Sequence, residues 1–245
     1  MKKLALVLAF LLVCAATSRA QDTLVTTAPT GTDLVDWTQF GPAPTSLIDN
    51  SVSGTFSFTT TDSVAGTGTW AGGLGAGEVV TEGNGWFGNF QYGAPLNYDE
   101  KSGPLTLTFS GYGYTQIGVQ IQPNSYGAFT AEICDNTDNV CFPEDGISTL
   151  LENNGAIYIG ISNTSPISSV TFSLTSVPPP SINNDYAIND PNDFAISDVT
   201  LSGGAPLVNV PEGGASLLYL LLAGASLCGA IFLRCRGGFI TSEAA

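Results

Sequence analysis

Between residues 21 and 209, apolar and polar residues alternate in one segment after another, and this period of two constrains the fold most. In one such segment, Ile117, Val119 and Ile121 alternate with glutamines. Because successive side chains of a strand point to opposite faces, the aliphatic residues share one face. The same alternation recurs in Phe56 and Phe58; in Leu105, Leu107 and Phe109; in Phe129, Ala131 and Ile133; in Ile157, Ile159 and Ile161; and in Val170, Phe172 and Leu174.

Clusters of Pro, Asn, Asp and Gly separate these segments, as at residues 123–125, 153–155 and 183–185. Such clusters are typical of turns, and their spacing predicts eight to ten strands. No helical period interrupts them. Strands with one buried face and antiparallel connections pack as two sheets, so we expect an all-β domain, an antiparallel β-sandwich of the jelly-roll kind.

The charged residues exclude several classes of function. The chain has no histidine, which removes Ser-His-Asp and Cys-His catalytic pairs and histidine-ligated zinc. Between residues 21 and 211 there are 19 Asp and Glu but only one cation, Lys101, so the net charge there is −18. A surface this acidic repels phosphate backbones, and we therefore expect no nucleic-acid partner. Divalent cations are the more compatible partners.

The first 20 residues have the features of a secretory signal peptide. Lys2 and Lys3 precede an apolar run, and Ser18-Arg19-Ala20 fits a cleavage site with small residues. Cleavage there would leave an exported domain that begins at Gln21 and extends to residue 209.

The last part of the chain predicts a membrane anchor. Residues 215–233 are 19 uncharged, largely apolar residues, which as a helix would span about 28 Å, enough for a bilayer core. Arg234 and Arg236 follow directly, so they are expected on the cytoplasmic side, with residues 237–245 as a cytoplasmic tail. The alternative is a buried helix of the globular domain. It would rarely be this long and apolar on every face.

The order of these C-terminal features resembles a known sorting signal. An apolar helix and an Arg-Cys-Arg stop follow the short motif Val210-Pro211-Glu212-Gly213-Gly214. This arrangement resembles the PEP-CTERM sorting signal, in a variant with glycine in place of the second proline. The resemblance implies cutting near Pro211 and Glu212 by a membrane-embedded exosortase, in a Gram-negative bacterium that makes exopolysaccharide. The tail after Arg236 is longer and less basic than is usual in that family.

The domain upstream resembles uncharacterised sandwich domains that precede PEP-CTERM tails in acidobacterial proteins. The resemblance implies a fold and no established activity. The similar pieces begin at Asp36-Trp37, Trp86-Phe87-Gly88-Asn89-Phe90, Gly103-Pro104-Leu105, Tyr126-Gly127-Ala128-Phe129, Ile157-Tyr158-Ile159-Gly160 and Asn192-Asp193-Phe194.

Of the five cysteines, only Cys134 and Cys141 fall in the predicted exported domain. The turn-prone residues 135–139 lie between them, and the expected compartment is oxidising. We therefore predict a disulfide that closes a hairpin tip, with two free thiols as the alternative.

Acidic side chains are candidates for a structural calcium site. The strand pattern changes parity at Ser197-Asp198, so either a bulge lies there or Asp198 points inward, where a lone carboxylate would need a partner. We name Asp36, Asp193 and Asp198 as candidate calcium ligands, with Asp135 and Asp138 as further candidates. The alternative is that these are solvated turn acids, because no segment has the spacing of an EF-hand.

Tyrosine and glutamine residues on one predicted strand are candidates for glycan binding. Aromatic rings stack on sugar rings, and amides bond their hydroxyls. We name Tyr112, Tyr114, Gln116 and Gln120 as candidates. Core packing is the alternative for the two tyrosines, and it is the favoured explanation for Trp86 and Phe90.

No pair of carboxylates stands out as an acid and a base. Glu132 falls on a polar strand face, and Glu78, Glu82, Glu144 and Asp145 look like loop residues. We therefore expect no enzyme, but an exported surface or matrix protein with a structural or adhesive role. The alternative is a glycan-binding module associated with exopolysaccharide.

Overall fold

The computed structural model describes residues 21–30, 33–43, 46–47, 54–72, 77–99, 103–150, 155–177 and 190–207. These residues form strands and a single 3-10 turn, Trp37–Phe40. The strands are β1 (Thr23–Val25), β2 (Asp33–Val35), β3 (Ser46–Leu47), β4 (Thr55–Thr59), β5 (Ala65–Trp70), β6 (Glu78–Glu82), β7 (Gly85–Trp86), β8 (Pro95–Asp99), β9 (Leu105–Phe109), β10 (Tyr112–Pro123), β11 (Gly127–Asp135), β12 (Val140–Ser148), β13 (Ile157–Ile167), β14 (Ser169–Ser176), β15 (Phe194–Ser197), β16 (Val199–Ser202) and β17 (Ala205–Pro206). The all-β prediction is confirmed, and among the described strands ten have five or more residues.

The strands form two sheets. The first has the order β1-β13-β10-β15-β8-β6-β3, with β16 and β17 also paired to β10, β2 paired to β16, and β7 to β6. The second has the order β12-β11-β14-β9-β5-β4. Every pairing is antiparallel except the short contact of β6 with β7. From β8 onward the chain changes sheet at most of its connections.

The apolar faces of the two sheets enclose one main core. The predicted alternating rows supply it: Ile117, Val119 and Ile121 from the first sheet meet Ala131, Ile133 and Phe172 from the second, and all are 0% exposed. The antiparallel sandwich predicted from these rows is therefore confirmed. The C-terminal helix was predicted for residues 215–233, which are outside the described residues.

A second, smaller core covers the outer face of the first sheet. Its buried members are Val80, Trp86, Phe90, Leu96 and Ala195. The segment that carries Trp86 and Phe90 folds back over β10, where Asn89 N donates to Gln122 Oε1 at 2.7 Å. Gly88 lies against the same amide, since a Cβ atom there would be 2.4 Å from Gln122 Oε1. A larger residue at position 88 would displace this buried amide. As a result, part of the β10 face that carries glutamines is buried and not exposed.

Candidate functional site

Cys134 and Cys141 form the predicted disulfide. They are direct partners in the register of β11 and β12, with Cα atoms 4.0 Å apart. The bond therefore joins the two strands next to the turn at residues 136–139.

Asp198 lies at the predicted change of parity. On β10, Ile121 pairs with Ile196, whereas Ile117 pairs with Leu201, so the partner strand gains one residue between β15 and β16. This is a bulge. Asp198 is also mostly buried, and its Oδ1 accepts a hydrogen bond from Trp37 N at 3.0 Å. Burial, with a smaller contribution from the Asp36 charge, raises the pKa of Asp198 to about 6.

Asp36 and Ser197 both accept hydrogen bonds from the Trp37–Phe40 turn. Asp36 caps the 3-10 turn, because its Oδ1 accepts from Thr38 N at 2.8 Å. The indole Nε1 of Trp37 donates to Ser197 O at 2.8 Å. The carboxylates of Asp36 and Asp198 therefore serve the backbone around Trp37.

Asp193 lies at the far end of β15 from Asp198. Its Oδ2 accepts from Asn124 Nδ2 at 3.2 Å, and its carbonyl accepts from Asn124 N at 3.0 Å. The predicted calcium ligands Asp36, Asp193 and Asp198 are thus not brought together: two lie at the Trp37 turn and the third at the corner where β10 ends. Strand β15 separates Asp193 from Asp198 and the Trp37 turn.

Tyr114 belongs to the core. It is 2% exposed, and its hydroxyl donates to Asp33 Oδ2 at 2.6 Å. Burial and this bond raise the pKa of Tyr114. Little of this ring is exposed for stacking on a sugar, and its burial agrees with the core alternative for Tyr114. Tyr112 is half-buried, and its ring packs against that of Tyr114 at 5.4 Å.

Gln116 and Gln120 are both half-buried on β10. The Nε2 of Gln120 donates to Ala156 O at 3.2 Å, so this amide is used inside the domain. Trp86 and Phe90 are 4% and 0% exposed, in agreement with the core packing that was favoured for them. Together, the candidate residues do not form one exposed aromatic platform.

The carboxylates considered for catalysis are spread over the domain. Glu82 is 1% exposed, and its Oε1 accepts from Gly88 N at 2.8 Å, so it holds the segment over the outer face. Asp145 is exposed and accepts from Thr130 Oγ1 at 2.7 Å. Glu132 lies on the outer face of β11 beside the disulfide. These three carboxylates have separate local contacts, which do not bring two of them together as an acid and a base.

An open groove of about 670 Å³ lies over β11, β12 and the start of β13. Sequence reasoning missed it. The apolar part of its lining includes Phe129, Ile157 and the exposed Ile147, and the polar part includes Thr130, Asp145 and Ser176. Gly146 belongs to the lining, and the ring of Phe129 packs against it so closely that a Cβ atom there would be 2.6 Å from the ring.

Three carboxylates meet beside the disulfide hairpin. Asp22 precedes β1, Asp135 ends β11, and Asp138 lies in the hairpin turn; one carboxylate oxygen from each lies within 4.8 Å of the others. Asn163 of β13 joins them, because its Nδ2 donates to Asp22 Oδ1 and to Asp138 Oδ2. The sequence suggested Asp135 and Asp138 as ligands but gave no reason to add Asp22. A second group of potential metal ligands among the described residues consists of Glu132, Cys134 and Cys141. The two cysteine sulfurs in it form the disulfide and are not free to bind a metal.

The residues of the predicted sorting signal, Val210, Pro211, Glu212, Gly213, Gly214, Arg234 and Arg236, lie outside the described residues. Within the described ranges, no helix has the length and apolar character needed to cross a membrane.

The described part of the chain is an all-β, antiparallel sandwich with one disulfide. No protein-family profile matches the sequence, and neither the curated proteins nor the solved structures contain a significant match.

Proposed function

We propose that this is an exported, non-catalytic protein with a structural or adhesive role at the cell surface or in the extracellular matrix. The observation that carries the proposal is the disulfide between Cys134 and Cys141. Disulfides form and persist in oxidising compartments outside the cytoplasm. The signal-like residues 1–20 agree with that location.

The proposed route of export follows from the two ends of the sequence. Residues 1–20 direct secretion, and residues 215–233 hold the precursor in the inner membrane of a Gram-negative bacterium. An exosortase then recognises the motif at 210–214 and releases the domain near Pro211 and Glu212. Pro disfavours a helix and Gly adopts many backbone conformations, so a protease can bind this segment in an extended form.

The finer fold that we propose for the domain is a jelly roll. Support comes from the chain's repeated change of sheet after β8, through the segments at residues 110–111, 124–126 and 168. Jelly rolls build two sheets by such crossings.

Sorting can be tested with a double variant, Pro211→Ala with Glu212→Ala. We expect it to accumulate in the membrane fraction as a longer species, whereas the native protein is found as a shorter one at the surface or in the medium. The matched control is Val208→Ala with Asn209→Ala, just upstream of the motif. Identical fractionation of the motif variant and the native protein would reject exosortase processing.

The structural role can be tested separately in a strain that lacks the protein. We expect its matrix to lose protein content or cohesion. An unaltered matrix composition and unaltered adhesion would count against this role.

The open groove favours glycan binding as a second candidate function. It combines an exposed aliphatic side chain, Ile147, with the hydroxyl and carboxylate of Thr130 and Asp145, which already bond each other. Sugars present an apolar ring face and several hydroxyl groups, so this mixed lining is suitable for them.

Affinity electrophoresis through gels that contain host exopolysaccharide, or a panel of neutral and acidic glycans, tests this candidate. We expect one glycan to retard the protein, and Ile147→Ser to remove most of the retardation. Leu207→Ser, at an exposed position outside the groove lining, is the control and should leave it unchanged. If no glycan retards the protein, glycan binding is rejected and proteins become the expected partners.

A further inference from the structure

We propose that Asp22, Asp135 and Asp138 bind one Ca²⁺ ion, which joins the two sheets at the disulfide end of the sandwich. The site uses a residue, Asp22, that was not among the predicted ligands. It does not depend on the proposed function.

The three carboxylates come from both sheets. Asp135 ends β11 of the second sheet, where it continues the buried row of Phe129, Ala131 and Ile133. Asp22 precedes β1, which pairs with β13 of the first sheet. An ion held by both residues would therefore link strands that share no hydrogen bonds.

Asp135 is the observation that points to a ligand. It is 1% exposed, and its Oδ1 accepts from Thr137 N at 2.6 Å. Its Oδ2 is buried and has no hydrogen-bond partner among the described residues. A buried carboxylate oxygen without a donor costs several kcal/mol unless a proton or a cation satisfies it.

The oxygens lie close enough together for one calcium ion to contact all three carboxylates. Calcium binds oxygen ligands at about 2.3–2.6 Å, so two oxygens on opposite sides of one ion are about 4.8 Å apart. One oxygen from each of the three carboxylates lies within 4.8 Å of the others. Carbonyl groups and water complete such a shell in flexible geometry, whereas Mg²⁺ requires a near-ideal octahedron.

The charge at the site is not balanced by the side chains of the described residues. They include no lysine or arginine, because the six cations of the chain are Lys2, Lys3, Arg19, Lys101, Arg234 and Arg236. Asn163 donates to two of the carboxylates, but it carries no net charge. The carboxylates of Asp22, Asp135 and Asp138 lie close enough together to repel one another when all three are charged. A divalent cation would relieve this repulsion.

Calorimetric titration and thermal unfolding test the site. The full chain is purified in detergent with its disulfide intact and then measured in chelator, CaCl₂ and MgCl₂. We expect one Ca²⁺ per chain with a Kd of about 10⁻⁴ M, in the range of extracellular sites. At 10 mM Ca²⁺ the melting temperature should then rise by about 5–10 °C. Mg²⁺ should bind at least about tenfold more weakly.

Asp135→Asn distinguishes a metal site from a merely acidic cluster. In chelator the variant should melt at or above the native temperature, because the substitution removes repulsion. With affinity reduced at least about tenfold, 10 mM Ca²⁺ should raise its melting temperature by at most about half as much as that of the native protein. Asp62→Asn makes the same change of charge at an exposed position and is the control. If Asp135→Asn does not fold, Asp138→Asn at the exposed member of the cluster gives the same comparison.

Two results would overturn the proposal. One is the absence of saturable calcium binding up to 10 mM, about a hundred times the expected Kd. The other is calcium binding that is equal in the native protein, Asp135→Asn and Asp138→Asn, or that Mg²⁺ reproduces at the same concentrations.

Discussion

Asp198 occupies a position in the fold that disfavours the charged form of its carboxylate. The bulge between β15 and β16 turns its side chain toward the Trp37 turn, where it accepts from Trp37 N. Burial there raises its pKa to about 6, because the charged form has lost water and gained only one short contact. The folded state thus binds the proton of Asp198 more tightly than the unfolded chain does.

The consequence is a pH dependence of stability. Since the pKa is raised on folding, the contribution of Asp198 is favourable below pH 4 and is lost as the pH rises from about 4 to about 6. Asp198→Asn keeps an acceptor for Trp37 N and removes the charge. We expect this variant to be about 1–2 kcal/mol more stable than the native protein at pH 7 and equal to it below pH 4.

Urea unfolding between pH 3.5 and pH 8 measures this difference. Asp62→Asn, at an exposed carboxylate, should follow the native curve. Parallel curves for Asp198→Asn and the native protein across the whole range would show that Asp198 does not carry this pH dependence.

At the scale of elements, the β11–β12 hairpin joins three features. It carries the disulfide, it places Asp135 and Asp138 in the acidic cluster, and its open side lines the groove. Among the described strands, β12 pairs with β11 alone and lies at the edge of its sheet, so this pairing and the disulfide hold it within the sheet. The hairpin should therefore be the element most sensitive to loss of the bond.

The double variant Cys134→Ser with Cys141→Ser tests this. A bond that closes so short a loop contributes about 2–3 kcal/mol through the entropy of the unfolded chain. We expect the free energy of unfolding to fall by that amount, and amide exchange to increase mainly in β12. The native protein with its disulfide intact is the reference. Unchanged exchange in β12 would mean that the strand pairing alone holds the hairpin.

At the scale of the whole molecule, the sandwich is a strongly acidic body. The region between residues 21 and 211 has a net charge of −18, and its described part has no lysine or arginine. Such a charge keeps a protein soluble but destabilises the compact state by self-repulsion. Screening by salt should therefore favour folding.

We expect the melting temperature in chelator to rise by a few degrees when NaCl is raised from 0.05 to 0.5 M, because the Debye length falls to several ångströms. Differential scanning measurements in NaCl and KCl check this, and the two salts should act alike. A melting temperature that is independent of salt would show that the charges are too far apart to repel.

The sequence alone determined the class of fold, the rows that form the main core, the disulfide and the change of parity at Asp198. These follow from patterns along the chain: alternation with a period of two, a short loop between cysteines, and a shift of one residue. The tertiary structure alone decided which distant segments meet. It buried Tyr114 against Asp33 and brought Asp22 to Asn163 over a separation of 141 positions. Local periodicity tells which face of a strand is apolar, whereas neighbours across and between sheets depend on strand order and register, which no short segment encodes.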